Sequence, residues 1–257
     1  VALARDNAHN RFLRSTSDED RRAEILEELA RICGLAGPPH RIECFDNSNL
    51  GGTNPVASQV VFIDGQPAKS EYRTYKVREV VGNDDYSTMA EILRRRFRRA
   101  AEEGLFPDLL VVDGGPGQLA VAQAVLDDLG LSDQPVIGFA KPRSEKKRTK
   151  ATDLFDKIVL GTGEIRLKDH DPVLNLLRHL RDESHRFAIG FHRKQRQKSA
   201  LITVLDGIEG VGPARRKALL TAFGSAAGVK AASREEIEAV VGSVTAKRVW
   251  AAMHPEV

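Results

Sequence analysis

Residues 107–117 read Pro-Asp-Leu-Leu-Val-Val-Asp-Gly-Gly-Pro-Gly. Four consecutive apolar residues leave no face for water, and the Asp-Gly-Gly that follows ends the run in a turn. Such a segment is a short strand of the parallel type, buried on both sides by flanking helices. Residues 135–140 form a second run of this kind. Between them Leu119, Val121, Ala122, Val125, Leu126 and Leu129 recur with helical spacing. A strand–helix–strand unit therefore sits at the middle of the chain.

The flanks extend it. Residues 41–45 form a short strand running into Asp46. Residues 55–63 form another, and Asp64-Gly65 is a hairpin turn. Residues 69–77 return, with Tyr72, Thr74 and Lys76 alternating. Gly82-Asn83-Asp84-Asp85 opens a helix through Met89, Ile92, Leu93 and Phe97. A hairpin is expected around Gly161-Thr162-Gly163, then a long helix from Pro172 to about residue 198, carrying Leu174, Leu176, Leu177, Leu180, Phe187 and Phe191. Residues 1–39 are a helical lead-in, with a start signal at Ser15-Thr16-Ser17-Asp18 and a stop at Gly37-Pro38-Pro39. Three antiparallel strands followed by α/β crossovers give the order of a ribonuclease-H-like mixed sheet flanked by helices, over residues 1–198. Element order alone says little about activity.

From residue 199 to 257 there is no strand-like segment. Ile208-Glu209-Gly210-Val211-Gly212-Pro213 leads into a helix ending at Phe223-Gly224. A second unit, with a capping box from Ser233 to Glu236, leads through Val241-Gly242-Ser243-Val244 into a last helix. The two form a degenerate tandem of helix, tight turn, helix, in a small all-α domain.

Composition narrows the function classes. The 257 residues carry 29% charged and 41% hydrophobic side chains, which excludes a disordered acidic protein. No apolar run approaches the roughly 18 residues that cross a bilayer, so no membrane partner is expected. The opening residues lack a signal segment and an initiator Met, as expected of a cytoplasmic piece of something longer. Cys33 and Cys44 make no disulfide framework. The net charge is only +3, but it is clustered: residues 141–150 hold six Lys/Arg against one Glu, Arg94, Arg95, Arg96, Arg98 and Arg99 crowd one run, and residues 192–198 add four more. Each cluster alone fits a solvated face; together they fit a polyanion partner.

Asp46 and Asp113 each end an apolar strand and precede small turn-forming residues. Carboxylates there reach the crevice where α/β sheets place ligands. On neighbouring strands they would repel unless a cation lay between them, and Mg²⁺ suits two such oxygens. The plain alternative is that each caps its turn. Of Asp84 and Asp85, one fits a helix cap and the other could join the metal site. His185 lies beside an apolar stripe and is either a structural residue, a ligand or a proton carrier. Arg181 and Arg186 would suit phosphate. Gly114-Gly115-Pro116-Gly117-Gln118 lacks the Lys-Ser/Thr ending of a Walker loop and reads as a turn that exposes Asp113. Gly210 and Gly212 allow a hairpin to approach a DNA phosphate, with Arg215, Arg216 and Lys217 in the next helix. Gly242 and Lys247 belong to the second copy, which has lost one glycine.

The segments RIECFDNSN, NDDYSTMAEIL, PDLLVVDGGPGQL and RDESHRFAIGFHR, in this order, resemble the C-terminal half of the UvrC family of the bacterial excinuclease ABC, over nearly the whole chain. The resemblance implies a metal-dependent endonuclease of nucleotide excision repair that cuts damaged double-stranded DNA on the 5′ side of a lesion, with the UvrB component of the excinuclease as partner. It places the catalytic residues at Asp46, Asp85, Asp113 and His185, and favours Asp85 over Asp84. Asp46 and Asp113 would hold Mg²⁺, with Mn²⁺ able to substitute. Asn47 and Asn49 stand where many members have Ile and His, and residues 141–150 also depart from the family pattern. Two other readings stay open: a non-catalytic DNA-binding module, and a different ribonuclease-H-like nuclease acting on junctions or hybrids.

Overall fold

The computed structural model describes residues 2–48, 56–77, 84–141 and 155–254. Asn49, Gly82, Asn83 and residues 142–150 lie outside the described residues, as do the side chains of residues 192 and 194–198. The chain divides into two compact units, Val1–Ala188 and Ile189–Val257. The division falls within one long helix, whereas the sequence places it near residue 199.

The first unit is built on one mixed sheet. Helix α1 (Ala2–Cys33) precedes β1 (Arg41–Ser48), β2 (Val56–Ile63), β3 (Gln66–Pro67) and β4 (Arg73–Lys76). Then follow α2 (Asp85–Glu103), β5 (Leu109–Asp113), α3 (Pro116–Asp128) and β6 (Val136–Ala140). The hairpin β7 (Lys157–Leu160) and β8 (Gly163–Ile165) leads to α4 (Pro172–Asp206). The sheet order is β3-β2-β1-β5-β6-β7-β8, with β4 also on β2. β1 pairs antiparallel with β2 and parallel with β5, and β5 pairs parallel with β6.

Two expectations are corrected. Helix α1 runs through the start signal at Ser15 instead of beginning there. The return strand over residues 69–77 is broken: after Pro67, Lys69–Glu71 form a 3₁₀ turn that ends as Tyr72 enters the core, and pairing resumes only at Arg73. Proline cannot donate to the ladder, which favours a break there.

Side chains alternate across the sheet. Ile42 and Cys44 of β1, Leu109 and Val111 of β5, and Ile137 and Phe139 of β6 pack against Leu26 and Leu29 of α1 and Val173, Leu177 and Leu180 of α4. Phe45, Leu110 and Val112 pack on the opposite face against Met89, Ile92 and Phe97 of α2 and Ala122, Val125 and Leu126 of α3. Each Val, Leu, Ile, Phe or Met side chain among them contributes about 1.5–3 kcal/mol when fully buried. Cys33 and Cys44 are both free. Among the described residues, no helix is long and apolar enough to cross a membrane.

The second unit has its own core. Leu205, Val211, Leu219, Val229, Ile237, Val241, Ala246, Val249 and Met253 come together from the end of α4 and from α5 (Pro213–Phe223), α6 (Ala226–Ala231), α7 (Arg234–Val241) and α8 (Ser243–Met253). The capping box from Ser233 to Glu236 is present.

The arginine-rich run of α2 is not the open basic face its sequence suggests. Arg96 is buried, and its Nε and Nη2 donate to the Glu43 carboxylate at 2.9 and 2.6 Å. Glu43 also accepts from Arg41 Nε and Gln59 Nε2, each at 2.7 Å. Arg94, Arg95 and Arg99 pair with Asp128, Glu91 and Glu103. Removing one member of a buried ionic cluster strands the others. Glu43→Ala is therefore expected to cost about 3–5 kcal/mol in urea unfolding, and replacing Glu43 and Arg96 together by apolar residues to cost much less.

Candidate active site

Strand parity aims the two acids. Phe45 lies opposite Val112 in the parallel β1–β5 ladder, so Asp46 and Asp113 follow side by side at the C-terminal ends of both strands. Both share the parity of Cys44 and Val111, on the α4 face. Their side chains are each 9% exposed. They form part of the wall of a cleft of about 420 Å³, which Asn47, Asp85, Gly114, Gly115, Lys141, Lys157 and Glu164 also line.

The turn after β5 keeps the cleft open. Gly115 caps α3, and Pro116 supplies its first residue. On the adjoining strand a Cβ at Gly138 would stand 2.8 Å from the Gly114 carbonyl oxygen, so β6 admits the turn only because residue 138 has no side chain. The structure also divides the acidic pair at the start of α2. Asp84 is the cap: its Oδ1 accepts from the backbone N–H of Tyr86 and Ser87 at 3.0 and 3.1 Å, and its Oδ2 from the Ser87 hydroxyl at 2.6 Å. Asp85 is left to line the cleft. Asn47 donates from Nδ2 to the Asp85 backbone oxygen at 2.6 Å, tying β1 to the start of α2.

His185 reaches Asp46 from α4, with Nδ1 at 3.4 Å from Oδ2 and the ring half-exposed. Asp113 faces Lys141, whose Nζ lies 3.6 Å from its Oδ2. Lys157 pairs with Glu164 at 2.9 Å across the β7–β8 hairpin. Sequence reasoning missed Lys141, Lys157 and Glu164 as parts of the site. The only signal was a lysine next to the end of a buried strand, and in residues 141–150 it was lost among five other cations.

Arg181 is a correction. Its Nη1 donates to Asp156 at 2.7 Å, its guanidinium lies 4.7 Å from the centre of the Phe139 ring, and its side chain is only 11% exposed. It joins α4 to the start of β7 in place of facing phosphate. Arg186 is exposed, but both its Nε and Nη2 are held by Glu183, at 2.6 and 2.7 Å.

Asp113 is pushed above the ordinary carboxylate range, first by burial and then by the charge of Asp46, with Lys141 and Arg181 opposing. Two crowded carboxylates with hard oxygens fit a small divalent cation, which commonly takes one or two carboxylates and keeps water in its other positions. Among the described residues, no group of three His, Cys, Asp or Glu side chains is placed to hold a metal ion.

In the second unit, Gly210 has φ +90°, a conformation suited to glycine, and Gly212 caps α5. Arg215 is exposed, Arg216 pairs with Asp206, and Lys217 is exposed. Gly242 stands at the cap of α8 as Gly212 does at that of α5, though with φ +80° where Gly212 has −81°. The structural counterpart of Gly212 is thus Gly242, and that of Gly210 is Val240, inside α7. This corrects the reading of Gly242-Ser243-Val244 as the second copy of Gly210-Val211-Gly212.

Residues 30–189 match the UvrC RNAse H endonuclease domain, and residues 202–252 a SAM-like helix-hairpin-helix tandem. The chain belongs to the UvrC family. It is similar to the UvrABC system protein C of Syntrophotalea carbinolica, 44% identical over 259 residues, covering 98% of this chain and 42% of that protein. The corresponding proteins of Dehalococcoides mccartyi and Protochlamydia amoebophila are 42% and 43% identical, covering 93% and 94% of this chain and 39% and 40% of theirs. The chain thus spans about two fifths of the length of these UvrC relatives. Among solved structures, Ciona intestinalis Endonuclease V in complex with a DNA containing inosine matches with a TM-score of 0.35 and 18% identity, over 55% of this chain and 63% of that one.

An acid held above its ordinary pKa opposes folding once it ionises. The penalty is absent below the ordinary aspartate pKa, grows as pH rises, and is complete above the folded value. Without added metal, Asp113→Asn is therefore expected to melt at a higher temperature than the parent at pH 7. The gap should close as the buffer is brought below about pH 4, as read by thermal melts across pH.

Proposed function

We propose that the chain is the endonuclease and DNA-binding portion of a nucleotide excision repair nuclease, hydrolysing a phosphodiester on the 5′ side of a lesion in damaged double-stranded DNA. The observation that carries this reading is the pairing of Asp46 with Asp113 at adjacent strand ends in an open cleft, within a domain that matches the UvrC endonuclease family. Asp46 and Asp113 would hold Mg²⁺ or Mn²⁺, with Asp85 supporting them from the start of α2. Bound there, the cation would neutralise charge on the phosphodiester and acidify an attacking water. Lys141, half-exposed in the lining of the same cleft, gives it a cationic group for phosphate oxygens. His185, held by Asp46 through Nδ1, would carry a proton to or from the reacting oxygens. The first hairpin would grip the backbone without reading bases, which makes binding salt-dependent. UvrB would deliver the substrate, and a cytoplasmic setting fits two free thiols.

The hairpin unit, with Gly210 at φ +90° and Arg215 and Lys217 exposed, favours a second reading, a DNA-binding module that does not cut. One experiment separates the two. A lesion-bearing duplex nicked on the 3′ side and loaded with UvrB is treated with this chain and Mg²⁺ or Mn²⁺. A cut 5′ to the lesion is expected, and Asp46→Asn or Asp113→Asn should abolish it while DNA affinity stays within about threefold of the parent. Firm DNA binding with no cut under any metal would support the binding module. Equal loss of binding in both variants would make the two acids structural.

A further inference from the structure

The two hairpins of the second unit are unequal in ways that a repeat does not require. Counting from the caps, Arg215, Arg216, Lys217 and Ala218 of α5 correspond to Thr245, Ala246, Lys247 and Arg248 of α8. Thr245 and Ala246 are buried. Val244, in the first turn of α8, is a large apolar side chain left exposed where the first copy has Ala214. The second copy thus has one glycine, Gly242 at φ +80°, in place of two, and lacks two of the three cations of the first.

Its remaining arginine is turned toward the first hairpin. Arg248 Nη1 donates to the Glu209 backbone oxygen at 3.0 Å, and its Nη2 lies 3.4 Å from the Glu209 carboxylate. Arg215 Nη1 donates to the Gly210 backbone oxygen at 2.8 Å. A Cβ at Gly210 would meet Arg248 Nη1 at 3.3 Å and Thr245 Oγ1 at 3.8 Å. Two consecutive carbonyls of one turn are therefore each held by a guanidinium, one from each copy. This fixes the turn ahead of α5 and masks carbonyl oxygens that would repel an anion at that helix start.

We propose that the second hairpin serves the first: Arg248 is a positioning residue that holds the Glu209–Gly210 turn against a DNA phosphate, and the second copy makes no equivalent grip. This rests on the reading of the chain as a DNA-binding nuclease and assigns unequal tasks to its two hairpins.

The test uses the full chain and a fluorescein-labelled duplex with an unpaired central bubble, with affinity read by anisotropy. Gly212 has extended geometry and open space at its Cβ. Gly212→Asp therefore keeps a good helix cap while setting a carboxylate against the phosphate. It should remove most of the affinity and leave the melting temperature no lower. Arg248→Ala should weaken binding about tenfold in the parent and add nothing in the Gly212→Asp background. Arg248→Lys keeps the charge but not the two-pronged donor, and should stay nearly as weak as Ala. Lys247→Ala should stay within about threefold of the parent.

Arg248→Ala at parental affinity overturns the proposal. So does a loss that multiplies with that of Gly212→Asp, which would make Arg248 a phosphate contact in its own right. Full rescue by Lys, or a drop in melting temperature that tracks the lost affinity, also overturns it. A parent chain that fails to bind the duplex overturns the nuclease reading itself, and this inference with it.

Discussion

The parallel pairing of β1 with β5 is the constraint on which the first unit depends. Parallel neighbours need a long connection and cover on both faces, and α2 and α3 on one side with α1 and α4 on the other supply it. With Phe45 opposite Val112, the two carboxylates leave the sheet at the same height and on the same face. The cleft, the crowding of Asp46 against Asp113, and the approach of His185 from α4 all follow from that register.

Charge is buried in two ways along the same strand. Glu43 is enclosed and receives hydrogen bonds from Arg41, Gln59 and Arg96, so its burial is compensated. Asp46 and Asp113, further toward the strand ends, stand close to each other, with His185 3.4 Å from Asp46 and Lys141 3.6 Å from Asp113. The first arrangement satisfies a charge inside the fold, and the second sets two acids side by side at a cleft, the kind of placement that raises the pKa of Asp113.

Much of this was legible in the sequence because the signals were local. The apolar run before Asp113, the turn after it, the Ser233 capping box and the helical stripe of α4 all rest on neighbours within a few residues. What the sequence concealed rests on distant ones. Arg181 read as suited to phosphate and Arg96 as part of a basic cluster because their partners, Asp156 and Glu43, lie 25 and 53 positions away. The break before Tyr72 depends on a core that forms elsewhere, and Lys141 meets Asp113 only because β6 lies beside β5. The register of the second hairpin is hidden for a different reason: a glycine pair is a weaker marker than the cap it serves. Gly212 and Gly242 share a role that their immediate neighbours in sequence do not reveal.

The spacing between Glu43 and Asp46 has a further consequence. The two lie three residues apart, an odd number, so a strand that seats the first among the arginines on one face must present the second on the other. Asp46 is therefore phase-locked to Glu43. A one-residue insertion or deletion between them would turn an acid to the wrong side of the sheet, while a two-residue change would keep its side and shift only its height. The length of this strand segment is thus set by counting as well as by chemistry, and divergence across it should proceed by substitution and not by gaps.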